Sequence, residues 1–308
     1  MKLDIVVPCF NEEEVIKETA KRLLEVLENL IKDKKIDSGE IFFVDDGSKD
    51  KTWELIKDLS NKHKPIRGIK LSRNRGHQNA LLAGIFTATG DAVITIDADL
   101  QDDVSAINQM VDKFLNGFEI VYGVRKKRET DTKFKRITAE GFYDIMKLLG
   151  VDIIHNHADY RLLSKRAIQE LKNFKEVNLF LRGIIPLIGF KSSIVYYDRD
   201  KRFAGESKYP LKKMLGFALD GITSFSIYPL RLITAIGFII FIISVLLSGW
   251  VLFIKFTNSA TVGWASTVLP IYFIGGIQLV SIGIVGEYVG KIYLETKARP
   301  KYIIEDII

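Results

Sequence analysis

The sequence predicts an α/β domain with a mostly parallel, Rossmann-like sheet, followed by an interfacial amphipathic helix and two C-terminal transmembrane helices. Two observations carry this prediction. Short β-branched runs alternate with helically spaced apolar residues over the first 123 residues. Farther along, residues 232–254 and 256–286 contain no charged side chain. We therefore divide the 308 residues into a cytoplasmic α/β domain (1–207), an amphipathic helix (208–227) and a two-helix membrane domain with a short cytoplasmic tail (228–308).

The α/β domain is predicted from a repeating order of strand and helix. The first strand is the run Ile5-Val6-Val7, which Pro8 ends, and the helix after it has apolar residues every three or four positions. The later predicted strands are residues 40–44, 66–71, 92–96 and 120–122, and the predicted helices are 12–30, 52–59, 78–88 and 104–115. Ligands of such sheets bind at the carboxyl ends of the strands, so we expect functional residues directly after each strand.

Composition and charge exclude several classes of protein. The chain has 44 basic and 38 acidic residues, and neither its front nor its rear part is a polycation of the kind that binds nucleic acid. Cys9 is the only cysteine, which excludes an internal disulfide and is compatible with a reducing cytosol. The N-terminus does not resemble a signal peptide, because the polar segment 11–14 interrupts its apolar start.

Beyond Gly123 the pattern is looser. We expect a basic segment, then a helix over residues 134–149, and then an amphipathic helix over residues 208–226. Because this last helix leads directly into the first uncharged span, we interpret it as interfacial. A core helix of the α/β domain is the alternative.

The two uncharged spans are predicted to cross a membrane. As a helix, residues 232–254 would rise about 35 Å, enough for a hydrocarbon core of about 30 Å. We expect the second crossing over about residues 267–286, where Gly275-Gly276 permits close packing and a homo-oligomer without requiring one. Basic residues before and after the spans predict a multi-pass protein of the inner (cell) membrane, with both termini cytoplasmic and residues 255–263 outside. A buried helical hairpin is the alternative.

The strongest chemical signal is Asp97-Ala98-Asp99 at the end of the fourth predicted strand. Carboxylate oxygens suit Mg²⁺ or Mn²⁺, which commonly shares one or two carboxylates with the phosphates of a substrate. Taken alone, this stretch could also be an acidic turn in which Asp102 and Asp103 cap the next helix.

Four motifs together resemble a known family. They are Pro8-x-x-Asn11-Glu12, Asp45-Asp46-Gly47-Ser48, Arg73-Asn74-x-Gly76 and the acidic run 97–102. In this order and spacing they resemble glycosyltransferase family two of the GT-A fold. Within it the chain is similar to the polyprenyl-phosphate branch, which includes bactoprenol glucosyltransferases and dolichyl-phosphate mannose synthases. The resemblance covers essentially the whole chain, including the two predicted membrane helices.

The resemblance implies a set of site residues. A nucleotide pocket would be lined by Pro8, Asn11, Glu12, Asp45, Asp46 and Asp97, and Mg²⁺ or Mn²⁺ with the diphosphate would be held by Asp97, Asp99 and Gln101. The acceptor phosphate would be bound by Arg125, Arg136, Arg202 and Lys208. The chain departs from the usual sequence of the family motifs at Arg75, His77, Val104 and Ala158.

Asp159, in the family-like segment Asp159-Tyr160-Arg161-Leu162, is the candidate general base. A phosphate monoester already carries about −1.5 to −2 charge at neutral pH. We therefore expect Asp159 mainly to orient the acceptor and its basic partners. His63 and His77 are expected to be surface or capping residues, and a metal pair of His155 and His157 is disfavoured because no other ligand stands at suitable spacing.

The expected activity is the inverting transfer of one sugar, with glucose from UDP-glucose as first choice, to undecaprenyl phosphate at the cytoplasmic membrane face. GDP-mannose or a modified pentose donor is the alternative. A processive polysaccharide synthase would require a Gln-x-x-Arg-Trp motif, and no tryptophan follows an arginine here. The alternative that is not an enzyme is a nucleotide-sugar sensor with an inactive site.

Overall fold

The computed structural model describes residues 1–126, 157–177, 179–198, 228–256 and 264–308. Its strands are β1 (Lys2–Cys9), β2 (Ser38–Asp45), β3 (Ile66–Leu71), β4 (Ala92–Thr95), β5 (Ile120–Arg125), β6 (His157–Ser164), β7 (Ser192–Tyr197) and β8 (Ile304–Ile307). Its helices are α1 (Ile16–Lys32), α2 (Thr52–Lys62), α3 (His77–Thr87), α4 (Ala106–Leu115), α5 (Lys165–Leu171), α6 (Leu181–Leu187), α7 (Tyr228–Phe256) and α8 (Trp264–Lys297). The five strands and four helices expected in the first 123 residues are all present.

The eight strands form one sheet in the order β7-β5-β6-β4-β1-β2-β3-β8. Strand β1 pairs in parallel with β2 and β4, β2 with β3, and β5 with β7. Strand β6 is antiparallel to both β4 and β5, and β8 is antiparallel to β3. The predicted α/β class with a mostly parallel sheet is confirmed, although β5 joins the sheet through β6 and not directly beside β4.

Apolar side chains cover both faces of the sheet. Helices α1 and α4 pack on one face and α3 with α6 on the other, so the central strands are buried on both sides and have almost continuous apolar runs. Helix α3 approaches β1 closely at Gly84, where a Cβ atom would lie 2.3 Å from Cγ1 of Val6. This close packing holds α3 against β1.

Helices α7 and α8 contact each other and expose large apolar side chains, such as Phe273 and Leu279 at 67% and 72%. Among the described residues, the segment Phe273–Lys297 is long and apolar enough to cross a membrane, and Leu230–Ile240 is a shorter apolar helix. This exposed surface indicates membrane association. The expected second crossing at about 267–286 lies within α8.

After α8 the chain returns to the α/β domain. Strand β8 adds to the free edge of β3, and Lys70 Nζ lies 2.7 Å from Glu305 Oε1. Near the end of α8, the two carboxylate oxygens of Glu295 accept from the backbone N–H of Val177 at 2.8 and 2.9 Å. The tail and the end of α8 are therefore attached to the domain. The predicted helix 134–149 and the amphipathic segment 208–227 lie outside the described residues.

Candidate active site

The turns after β1 and β2 are joined by hydrogen bonds. Asn11, in the left-handed conformation with φ 55°, donates its N–H to Oγ of Ser48 at 3.0 Å and accepts from the N–H of Lys49 at 2.8 Å. The N–H of Glu12 donates to Oγ1 of Thr52 at 2.9 Å. Asn11 and Glu12 therefore stand beside the turn that follows Asp45, and Pro8 lies near the end of β1. Their role in a nucleotide pocket stays a prediction.

Asp45 is fully buried at the end of β2. Its Oδ1 accepts from the N–H of Ser48 at 3.2 Å, whereas its buried Oδ2 has no hydrogen-bond partner among the described residues. Burial raises the pKa of Asp45. Since a buried acceptor without a donor is unfavourable, Oδ2 is suited to accept a hydrogen bond from a ligand.

Asp46 organises the neighbouring loop. Its two carboxylate oxygens accept the backbone N–H groups of Arg75 and Gly76 at 2.6 and 2.9 Å. Gly47 has φ 67°, and a Cβ there would lie 2.6 Å from the backbone nitrogen of Asn74. The Asp-Asp-Gly-Ser and Arg-Asn-x-Gly motifs therefore meet, and Asp46 holds the loop that leads into α3.

The turn after β4 presents Asp97 and Asp99. Thr19 Oγ1 of α1 donates to the carbonyl of Ala98 at 2.8 Å, Leu100 has φ 56°, and the N–H of Gln101 donates to Oδ1 of Asp99 at 3.1 Å. Oδ1 of Asp97 is buried and accepts no hydrogen bond among the described residues, although Nε2 of His77 lies 3.4 Å from it. A buried carboxylate oxygen of this kind is suited to bind a cation.

Asp102 and Asp103 have different roles. Asp103 caps the next turn, because its Oδ1 accepts from the N–H of Ser105 at 2.8 Å. Asp102 is buried, accepts from the hydroxyl of Tyr197 at 2.7 Å and pairs with Nη2 of Arg125 at 3.1 Å. Arg125 is thus engaged within the protein, and its predicted contact with an acceptor phosphate stays a prediction.

Asp159 on β6 is the centre of a charged cluster. Its side chain is 8% exposed and forms ion pairs with Arg161 and with Nη2 of Arg182, the latter at 3.2 Å. Its Oδ2 lies 3.5 Å from Nε2 of His77. Burial acts to raise the pKa of Asp159. The nearby Arg182, Arg161 and His77 more than offset this effect, so the pKa of Asp159 is held well below its usual range.

His77, the first residue of α3, connects this cluster to the turn after β4. Its Nε2 lies 3.4 Å from Oδ1 of Asp97 as well as 3.5 Å from Asp159. Burial lowers the pKa of His77, but Asp97 and Asp159 outweigh it and raise the value to about 9. Burial also raises the pKa of Asp97 to about 6, against the opposing effect of His77. The expectation that His77 is only a surface or capping residue is wrong, because α3 begins at the carboxyl edge of the sheet.

Sequence reasoning missed Arg161 and Arg182 as site residues. A signal existed for Arg161, since residues 159 and 161 of a strand point to the same face. No local pattern distinguishes Arg182, which comes from α6 and reaches Asp159 only through the fold. The start of α6 is held by Gln78, whose Oε1 accepts from the N–H of Leu181 at 2.9 Å.

Arg136, Arg202 and Lys208, predicted for the acceptor, lie outside the described residues, as does His155. His157 is buried and packs edge-on against Tyr122, with 5.6 Å between the ring centroids. In the described part of the chain no three His, Cys, Asp or Glu side chains form a closed metal site. Asp97, Asp99 and Gln101 instead suit a hard cation that completes its shell with phosphate and water.

The comparison with known proteins establishes the class. Residues 4–172 match the family described as Glycosyl transferase family 2, which makes the protein a glycosyltransferase with a GT-A-like α/β fold. The chain belongs to glycosyltransferase family 2. This confirms the resemblance of the four motifs to that family.

Several relatives are similar over nearly the whole chain. The "Uncharacterized glycosyltransferase YkoT" of Bacillus subtilis is 55% identical over 98% of this chain and 91% of its own length. The "Bactoprenol glucosyl transferase" of Shigella phage SfX is 42% identical over 99% of both chains. The solved structure of glucosyl-3-phosphoglycerate synthase from Mycobacterium tuberculosis with Mn²⁺, UDP and phosphoglyceric acid is 16% identical, with a TM-score of 0.47 and coverage of 72% of this chain and 76% of that chain.

Proposed function

We propose that this protein transfers one glucosyl residue from UDP-glucose to polyprenyl phosphate, with undecaprenyl phosphate as the expected acceptor. The observation that carries the proposal is the similarity to bactoprenol glucosyl transferases at 41–42% identity over 99–100% of the chain. The names of these relatives favour glucose over mannose or a pentose, and bactoprenol over a soluble acceptor.

The donor would bind where the turns after β1, β2 and β4 meet. Oδ2 of Asp45, which lacks a partner among the described residues, would accept an N–H of the nucleobase. Asn11 and Glu12 are held beside that turn by their backbone hydrogen bonds. Asp97, Asp99 and Gln101 would hold Mg²⁺ or Mn²⁺, which when bound would stabilise negative charge on the departing diphosphate.

The acceptor would attack from the opposite side of the sugar, so one displacement inverts the anomeric centre. Its phosphate needs little deprotonation at neutral pH, because its second pKa is near 6. Asp159 is unsuited to take a proton, since its pKa is held well below the usual range. Its role in the proposal is to hold Arg182 and to keep His77 in place beside Asp97.

The proposed topology has two membrane crossings with both termini cytoplasmic, in the inner (cell) membrane. The attachment of β8 to β3 supports it, because the chain must return to the domain from which it left. An even number of crossings satisfies that requirement. Lys291 and Lys297 near the end of α8 agree with a cytoplasmic location for that end.

The test uses purified full-length protein with radiolabelled UDP-glucose, undecaprenyl phosphate and Mg²⁺ or Mn²⁺, followed by extraction of the lipid product. We expect label in the lipid, and less than about a hundredth of it for the double variant Asp97→Ala, Asp99→Ala. The matched control Asp112→Ala, which removes an exposed carboxylate, should keep wild-type activity.

If the protein transfers sugar from GDP-mannose and not from UDP-glucose, the proposed sugar is mannose and not glucose. Binding of UDP-glucose with no transfer from any nucleotide sugar would favour the sensor. Unchanged product formation by the double Asp97, Asp99 variant would refute the assigned site.

A further inference from the structure

Side chains from three different elements meet at one carboxylate oxygen. Oδ1 of Asp102, in the turn after β4, accepts from the hydroxyl of Tyr197 at 2.7 Å and from Nη2 of Arg125 at 3.1 Å. Nε of Arg125 lies 3.3 Å from the same oxygen and 3.3 Å from the hydroxyl oxygen of Tyr197. We call these three residues the Asp102 cluster.

The sheet brings Arg125 and Tyr197 together. They are the last residues of the neighbouring parallel strands β5 and β7, and they are opposite each other in the register of that pair. The N–H of Lys126 also donates to the carbonyl of Tyr197 at 2.9 Å. Because both strands end at the carboxyl edge of the sheet, this pair lies at the edge where ligands of such sheets bind.

Strand β6, which lies between β4 and β5, also holds the turn after β4. Tyr160 of β6 packs edge-on against Tyr197, with 5.2 Å between the ring centroids, and its hydroxyl donates to the carbonyl of Asp103 at 3.1 Å. The turn is therefore held at two successive residues, through the side chain of Asp102 and through the carbonyl of Asp103.

The Asp102 cluster is mostly buried. The side chain of Asp102 is 1% exposed, Tyr197 is 2% exposed and the side chain of Arg125 is 23% exposed. Oδ2 of Asp102 accepts no hydrogen bond in the described part of the chain, so both donors act on Oδ1. Burial raises the pKa of Tyr197, so its hydroxyl keeps the proton that it donates. Buried hydrogen bonds to a charged group are strong and fix the positions of both partners.

Asp102 directly follows the residues proposed to hold the cation. The turn starts near Asp97 and contains Leu100, whose φ of 56° is unfavourable for a residue with a Cβ atom. Such a conformation persists only where the surrounding structure holds it. The Asp102 cluster provides such support, because Asp102 is one residue after Gln101 and three after Asp99.

The same cluster stands where the chain leaves for both segments predicted to bind the acceptor. From Arg125 the chain continues toward Arg136, and from Tyr197 it continues toward Arg202 and Lys208, three predicted ligands that lie outside the described residues. The cation-binding turn and the starts of these two segments therefore share one buried junction. Transfer requires close alignment of donor and acceptor, and a misplacement of about 1 Å lowers the rate strongly.

We infer that Tyr197 is a positioning residue for sugar transfer. Through its hydrogen bond to Asp102, it holds the cation-binding turn in place against Arg125 and the acceptor side of the site. This inference rests on the proposed function and adds to it a residue that lies outside the family motifs.

The test uses Tyr197→Phe, which removes the hydroxyl and keeps the ring that packs against Tyr160. Tyr196→Phe is the matched control, because Tyr196 is the preceding residue of β7, is 55% exposed and points to the other face of the sheet. Asp102→Ala and the double variant Asp102→Ala, Tyr197→Phe complete the set.

For each full-length protein, kcat, KM for UDP-glucose and KM for undecaprenyl phosphate are measured. Calorimetry with UDP and excess Mg²⁺ gives the nucleotide affinity, and thermal unfolding gives the melting temperature. Hydrogen exchange in peptides that cover residues 97–105 reports on the turn without any need for transfer.

We expect Tyr197→Phe to lower kcat about tenfold, the rate equivalent of one hydrogen bond to a charged group. KM for UDP-glucose and the UDP affinity should stay within about twofold of wild type, and exchange over residues 97–105 should become faster. A rise in KM for undecaprenyl phosphate would agree with the same role. Tyr196→Phe should equal wild type, and the double variant should lose no more than Asp102→Ala alone, because Tyr197 acts through Asp102.

The inference is overturned if Tyr197→Phe keeps the wild-type kcat, even if its melting temperature falls, because the hydroxyl would then only stabilise the fold. Losses that multiply in the double variant, unchanged exchange over residues 97–105, or a donor KM that rises as much as kcat falls would overturn it as well. If Asp102→Ala does not fold, the comparison of Tyr197→Phe with Tyr196→Phe decides. Absence of transfer by the wild-type protein refutes the proposed function separately, while hydrogen exchange still tests whether Tyr197 holds the turn.

Discussion

Replacement of Asp159 by asparagine tests whether this residue organises the site or acts as a base. The substitution keeps the shape of the side chain and one acceptor oxygen but removes the charge. Arg161, 1% exposed, would lose its charged partner, and its Nε and Nη1 already have no hydrogen-bond partner among the described residues. Arg182 and His77 would lose the same counter-charge.

The size of the effect follows from the burial of this pair. Breaking a buried ion pair by removing one partner costs about 3–5 kcal/mol, and asparagine should lie near about 3 kcal/mol because it retains an acceptor. For a domain of this size that corresponds to a fall in Tm of about 6–12 °C. Because the folded-state pKa of Asp159 is lowered, its stabilisation is present at neutral pH and is lost only as the pH falls through that lowered value.

The assay is thermal unfolding of the purified full-length protein, together with sugar transfer measured across pH. The matched control is Asp112→Asn, because Asp112 is 49% exposed and pairs with Lys35 on the surface. We expect the control to change stability by less than about 1 kcal/mol. Asp159→Asn should lower transfer at every pH tested.

Two results would refute this reasoning. A melting temperature equal to that of the Asp112→Asn control would mean that Asp159 does not stabilise the cluster. Near-normal transfer by Asp159→Asn at high pH, with failure only at low pH, would restore the role of general base.

Two further substitutions test the packing of the domain and the attachment of its membrane helix. Gly84→Ala places a Cβ 2.3 Å from Cγ1 of Val6, so we expect a loss of about 1–3 kcal/mol in thermal unfolding, and an unchanged melting temperature would contradict the packing described for α3. Glu295→Ala removes both oxygens that accept from the N–H of Val177, so hydrogen exchange at Val177 should become faster, whereas Glu295→Gln, which keeps one acceptor oxygen, should change it less. Equal exchange in all three proteins would show that this contact does not tie α8 to the domain.

Much of the fold could be predicted because its strands and helices are determined by residues that are close together in the sequence. The alternation of strands and helices up to Gly123 follows from the spacing of apolar residues, and the structure contains each of those elements with small changes at their ends. Strands β6, β7 and β8 were not predicted as members of the sheet. Their places depend on pairing with β3, β4 and β5 across long separations in sequence, which periodicity does not encode.

The site divides in the same way. The turns that present Asp45 and Asp97 could be predicted, because each directly follows a strand and parallel strands end at one edge of the sheet. The association of His77, Asp159 and Arg182 could not be predicted, since they come from α3, β6 and α6.

Short-range patterns in the chain thus specify its elements, its apolar helices and the motifs of its family, because neighbouring residues determine periodicity and turn geometry. The order of strands, the attachment of the tail to β3 and the charges that surround Asp159 arise only when the sheet forms. Contacts between distant residues depend on how the elements pack in three dimensions, and no local pattern contains that arrangement.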